Sequence, residues 1–354
     1  MRRRRRFVRI TSIYDQDTFT PMLPGTQLEI DPRKLNFYRS SYRCLASWMN
    51  HKGYDVSPLH LGDYQPDPII RHYQAEAARL AEPQYGHEDR PSKGPLVSML
   101  ALVTGASSGI GKAFAERLAA DGYDLVVVGR RKDRLDELAA SLTNVTVECL
   151  AADLSTDEGV DAVAEVCDTR PLTMLVNNAG VAHYMPFSEL PADKARELVH
   201  VKVVAPTMLA RAAVPGMVER GEGTIINVAG MIAFSGPAGP EQMPRRAVYT
   251  GTLAHSIAWT QQLHAELASE GISVQVVCPG VVATEFHERQ GLDLSAVPRM
   301  SAQDVVTASL RGIDLGEVVC APGIEDSALL ETVFRSDLAA FEGQSPELAK
   351  RYRV

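Results

Sequence analysis

The amino-acid sequence predicts an α/β fold built on a doubly wound parallel sheet, and three observations predict it. From residue 99 almost to the end, short apolar runs alternate with stretches of helical periodicity, the β-α-β pattern that a layered parallel sheet requires. The apolar runs are continuous, as in Asp124-Leu125-Val126-Val127-Val128, which suits strands covered by helices on both faces. The first run, Leu100-Ala101-Leu102-Val103, passes directly into the glycine-rich segment Thr104-Gly105-Ala106-Ser107-Ser108-Gly109-Ile110-Gly111. A strand feeding such a turn and then an amphipathic helix sets unpaired helical N–H groups where a phosphate can bind.

Each element has its own signal. A strand at 100–104 leads to a helix at 110–121, in which Ile110, Phe114 and Leu118 recur on one face and Gly122 supplies the stop. Gly105, Gly109 and Gly111 remove the Cβ atoms that would hold a dinucleotide pyrophosphate away from the backbone. Strands at 124–128, 145–150, 173–177, 223–228, 273–278 and 316–320 follow by their apolar content. Between them the helical period marks 131–141, 157–168, 192–219, 247–270 and 301–311. The sum is a three-layer α/β/α sandwich of Rossmann type that binds a nucleotide.

Composition bounds the rest. The 354 residues are 45% hydrophobic and 23% charged, an ordinary globular balance. No uninterrupted apolar run reaches the length of a membrane span, so none is expected. The five cysteines are widely spaced and form no Cys-x-x-Cys pair, which points to a reducing, cytoplasmic setting and to no metal site. The net charge of −8 conceals two unlike segments: residues 1–98 hold 15 Lys and Arg against 11 Asp and Glu, the remainder 21 against 33. The shift falls at the breaker-rich string Arg90-Pro91-Ser92-Lys93-Gly94-Pro95, dividing an N-terminal extension, 1–95, from a body, 96–354. The extension has helical character at 33–52 and 68–82. Its run Arg2 to Arg6 reads as a solvated tail, so no nucleic-acid partner is expected.

Within the body the motifs line up with a known family. Thr104 to Gly111 resembles the TGxxxGxG cofactor loop of the short-chain dehydrogenases/reductases, Asn177-Asn178-Ala179-Gly180 their NNAG motif, and Pro279-Gly280 with Thr284 their PG-x-x-x-T segment. The resemblance covers about 99–345. It implies that Gly105, Ser107, Ser108, Gly109, Ile110 and Gly111 cradle the dinucleotide. It further implies that Asp153 and Leu154 meet the adenine, that Asn177, Ala179 and Gly180 line the cofactor, and that Pro279, Gly280 and Thr284 hold the nicotinamide carboxamide. Charge selects among dinucleotides. The second strand closes on Gly129 rather than a carboxylate, followed by Arg130, Arg131 and Lys132; guanidinium groups bind a 2′-phosphate, so NADP(H) is the expected cofactor.

The resemblance breaks at the chemistry. The family's reacting groups are an Asn, a Ser, and the Tyr and Lys of Tyr-x-x-x-Lys. Tyr249 matches the tyrosine, but Leu253 stands where the lysine would share its helix face. Gly230 replaces the serine, and Lys202 the asparagine. Ser235 is a candidate substitute for the serine and Lys202 for the missing cation. Three readings stand open: a rewired oxidoreductase acting on a small-molecule carbonyl or alcohol, a catalytically weak NADP(H)-binding or sensor protein, or an ordinary reductase altered by drift or sequence error. The segment from Phe286 to Met300 is expected to cover the substrate. The resemblance also implies a homodimer or homotetramer through the helices at 192–219 and 247–270. Met99 stands where family members commonly begin, so residues 1–98 are either an accessory segment or upstream sequence attached by a misplaced start.

Overall fold

A computed structural model describes residues 99–236 and 245–353. The expectations for residues 1–98, and the prolines at 237, 240 and 244, lie outside the described residues. The body holds a seven-stranded sheet in the order β3-β2-β1-β4-β5-β6-β7. Its strands are β1 (Leu100–Thr104), β2 (Asp124–Gly129), β3 (Val147–Ala151), β4 (Met174–Asn177), β5 (Gly223–Val228), β6 (Ile272–Val277) and β7 (Val319–Cys320). All neighbours are parallel; in the middle, Ala101 of β1 is level with Leu125 of β2 on one side and Met174 of β4 on the other. Strand order reverses between β1 and β4, and there the carboxyl ends of the strands open a crevice for a ligand.

The helices are α1 (Gly109–Ala120), α2 (Lys132–Ser141), α3 (Asp157–Thr169), α4 (Ala192–Val199), α5 (Ala205–Arg220), α6 (Ala247–Leu267), α7 (Ala302–Asp314) and α8 (Ala328–Glu342). The continuous apolar strands split their side chains between two cores, as a period of two requires. Ala101, Val103, Leu125 and Val127 pack with Phe114, Leu118, Leu135 and Val305. Leu100, Leu102, Val126 and Val128 pack with Val163, Leu209, Ala213 and Met217. Thr156 caps α3 by accepting from Gly159 N, and Ser301 caps α7 by accepting from Asp304 N, which satisfies N–H groups the helices cannot.

Two elements differ from those expected, and a third observation bears on the expectation of no membrane span. The helix expected at 192–219 is α4 and α5 joined by a π turn, His200–Val204, closed by Ala205 N donating to His200 O; a π turn widens the helix by a residue and is invisible to a 3.6-residue period. Helix α8 was not expected, because its apolar residues Leu329, Val333, Leu338 and Phe341 are exposed and no burial pattern marks it. Finally, the helical stretch Ala192–Arg220 is long and apolar enough to cross a membrane by length and composition; in this fold its Leu209, Ala213 and Met217 face the sheet core.

Candidate active site

At the carboxyl end of β1 the chain turns sharply through Gly105 (φ 67°) and Gly109 (φ 56°) before α1 begins. A Cβ at 105 would lie 2.8 Å from Asn178 Nδ2, and one at 111 would collide with the same amide and with the Gly105 carbonyl. Two of the three loop glycines therefore let α1 close against the turn after β4. Gly109 leaves room for Thr284, whose Cγ2 would stand 3.0 Å from a Cβ there. Asn178 fastens the junction, donating from Nδ2 to Thr104 O at 2.9 Å, while Thr104 Oγ1 accepts from Asn178 N and Ala179 N at 3.0 Å each.

A cleft of about 550 Å³ opens over this junction. It gathers Gly105, Ser107, Ser108, Gly109, Ile110, Arg130, Arg131, Asp153, Leu154, Ala179, Gly180, Pro279, Gly280 and Thr284, with Lys202, Gly230, Ser235, Tyr249 and Leu253. Two residues expected on the cofactor lie elsewhere. Gly111 faces Asn178 inside α1. Asn177 points down into the sheet, donating to Asn227 Oδ1 at 3.0 Å while Asn227 donates to Thr260 Oγ1 at 3.0 Å. Asn178, the next residue, lines the cleft instead. Successive side chains at a strand end face opposite ways, and the motif alone does not say which faces the ligand.

One end of the cleft is cationic. Arg131 donates to Ser107 Oγ at 2.8 Å, Ser108 Oγ at 3.0 Å and Glu285 Oε1 at 3.1 Å. Arg134 grips both Glu285 oxygens, at 3.0 and 2.9 Å, and Arg289 pairs with the same carboxylate. Burial pushes the Glu285 carboxyl up, but the hydrogen bonds from Arg134, Ser108 and Arg131 outweigh it and hold it below the ordinary range. Arg130 lies 3.9 Å from Asp153 Oδ2 and 3.6 Å from Glu197 Oε1. Burial likewise works against the Asp153 charge, yet hydrogen bonds from Ser155 and the nearby Arg130 hold its carboxyl low. Ser108, at the N-cap of α1, makes no side-chain capping bond. The helix thus presents its first N–H groups and its positive dipole end to a cleft with arginine opposite, an environment that fits a diphosphate with a further phosphate nearby.

The other end carries the hydroxyls. Tyr249 projects from the first turn of α6 and is buried. Its ring meets that of Tyr184, on the loop after β4, edge to face with centroids 5.6 Å apart. Burial, then the neighbouring Tyr184, pushes the Tyr249 phenol well above its ordinary range. Leu253, one turn along α6, is buried, and its Cδ1 would stand 3.5 Å from a Cβ on Gly230. Ser235 is engaged, donating to Ile232 O at 2.7 Å and accepting from Arg246 at 3.3 Å.

Lys202 lies on the π turn and is buried, with Nζ donating to Val228 O at 3.2 Å. A Cβ on Gly180 would sit 2.6 Å from that Nζ, so the glycine lets the amine come up against the Asn178-Ala179-Gly180 turn. Burial pulls the Lys202 amine down to about 8. Val228 O accepts one of its N–H groups, leaving two donors for a ligand in the cleft. Sequence reasoning did not single out Asn178, Tyr184, Arg134 or Glu285. Tyr184 and Glu285 stand in loops with no periodicity to flag them, and their roles come from non-local contacts.

Fold and site together define a dinucleotide-binding α/β protein with a tyrosine at the reacting end of its cleft. The short chain dehydrogenase family model matches residues 99–294, and the chain belongs to that family. A very-long-chain 3-oxoacyl-CoA reductase of Mus musculus is 32% identical over 229 residues, 63% of this chain and 70% of the relative. Among solved structures, a short-chain dehydrogenase from Sphingobium yanoikuyae in complex with NADPH is 34% identical with a TM-score of 0.68, spanning 72% of this chain and 100% of the other. The bulky-bulky ketone specific alcohol dehydrogenase from Comamonas testosteroni is 30% identical with a TM-score of 0.65, over 72% and 99%.

Proposed function

We propose that this chain is an NADP(H)-dependent reductase of a small-molecule carbonyl compound, with Lys202 supplying the cation that Leu253 does not. One observation carries the reading: the uncapped α1 N-terminus and its arginines share a single cleft with Tyr249 and the buried amine of Lys202. Ser107, Ser108 and Ile110 would hold the diphosphate, Arg130 and Arg131 the 2′-phosphate, and Ala179, Gly180 and Lys202 the ribose. Bound there, NADPH supplies a hydride. Solved relatives that carry NADPH support the choice of cofactor.

Tyr249 holds the proton. Burial keeps its phenol protonated, which suits a group that must give a proton to an alkoxide-like oxygen and unsuits one that must take a proton from an alcohol. The reductase reading uses Tyr249 in this protonated form. Met231, Ile232 and Phe286 line the substrate end of the cleft and favour an apolar carbonyl compound. The described cysteines carry free thiols, which supports a reducing cytoplasmic setting. Exposed Val199 and Met208 on the Ala192–Arg220 stretch support a homodimer or homotetramer formed there.

NADPH oxidation against a panel of ketones, aldehydes and quinones, run beside a cofactor-binding titration, tests the reading. Turnover that Lys202→Asn abolishes is the expected result. The absence of both the lysine and the serine at 253 and 230 favours a second reading, a catalytically weak NADP(H) sensor; NADPH binding without turnover on the panel establishes it.

A further inference from the structure

We propose that Tyr184 is a catalytic residue of this site, its hydroxyl donating to the substrate carbonyl oxygen in the role that the family gives to the serine absent at Gly230. The assignment rests on the reductase reading above. Gly230 offers no donor from a side chain, and a Cβ there would meet only Leu253 Cδ1 at 3.5 Å and Pro279 O at 3.6 Å. Ser235 is committed to Ile232 and Arg246. Tyr184 lines the same cleft and packs its ring against that of Tyr249.

The surroundings fix that ring. Tyr249 meets it edge to face at 5.6 Å and 76°, and His287 stacks on it at 6.4 Å and 18°. Phe286 in turn braces His287 edge to face at 5.4 Å. Two phenols whose rings meet in one cleft can both turn an O–H to a carbonyl oxygen that enters there. Donors set in advance around an oxygen gain strength as charge develops on it. Tyr184 transfers no proton. The proton that ends on the oxygen leaves Tyr249, and water resupplies it.

Steady-state reduction of the best ketone of the panel by the full chain tests this, using the parent, Tyr184→Phe and Tyr184→Phe combined with Gly230→Ser. We expect Tyr184→Phe to lower kcat by roughly 10²–10³-fold, the scale for losing one such donor, with KM changed much less. The added serine should recover at least about tenfold of that loss, since it returns a donor to the same oxygen. Recovery of this kind is not available to a residue that merely packs. Parental kcat in Tyr184→Phe, or a loss that Gly230→Ser leaves untouched, overturns the assignment alone. A parent that turns over nothing overturns the reductase reading and this assignment with it.

Discussion

Lys202 has no carboxylate partner among the described residues, and that has a measurable sign. Its amine ionises near pH 8 in the folded protein, against about 10.5 when solvated. Below pH 8 the amine is charged in both states, so folding bears the whole cost of burying it. Between pH 8 and 10.5 the unfolded chain holds a proton that the folded one has released, and stability rises with pH. The difference corresponds to about 3 kcal/mol. We expect Lys202→Met to melt several degrees above the parent at pH 7 by calorimetry, with the gap narrowing by pH 10; a gap that stays constant would show that the amine keeps its proton in the fold across that range. The same titration bears on rate. If the ammonium assists the oxygen, kcat falls as pH rises through about 8. The identity of residue 202 could be read from the sequence, because the flanking valines align with the family's Val-Asn-Val. Its burial could not, because a lysine on a helix is ordinarily a solvated charge.

At the scale of elements, strands and glycine turns were legible and joints were not. The continuous apolar runs located each strand to within a few residues, because strands in a two-sided parallel sheet leave no polar positions to blur the signal. The π turn, the exposed helix α8 and the orientation of Asn177 against Asn178 depend on hydrogen bonds and contacts between distant segments. So does the loop that carries Glu285. Its carboxylate is gripped by Arg131, Arg134 and Arg289, at the place where the 2′-phosphate would need arginine. Removing that charge while keeping its shape should leave a more positive cleft. We expect Glu285→Gln to tighten NADPH by a few-fold and NADH by less, in fluorescence titrations at fixed ionic strength. A weaker grip on both would mean that the carboxylate serves chiefly to tie down the loop.

At the scale of the molecule, the body has its own seven-stranded sheet, an apolar core on each face of it and a cleft at its carboxyl ends. A fragment from Met99 to Val354 should therefore melt in one cooperative step. NADPH at about a hundred times its dissociation constant should add roughly 2.7 kcal/mol to its stability; an insoluble fragment beside a soluble full chain would show that the core needs residues 1–98. A domain of this kind has only some 5–15 kcal/mol in hand, and Lys202 consumes a sizeable part of it. Almost any apolar replacement at that position would leave a sturdier protein, and random change supplies such replacements readily. On the reductase reading, the fold carries that cost for the sake of an amine set beside the cofactor and the tyrosine.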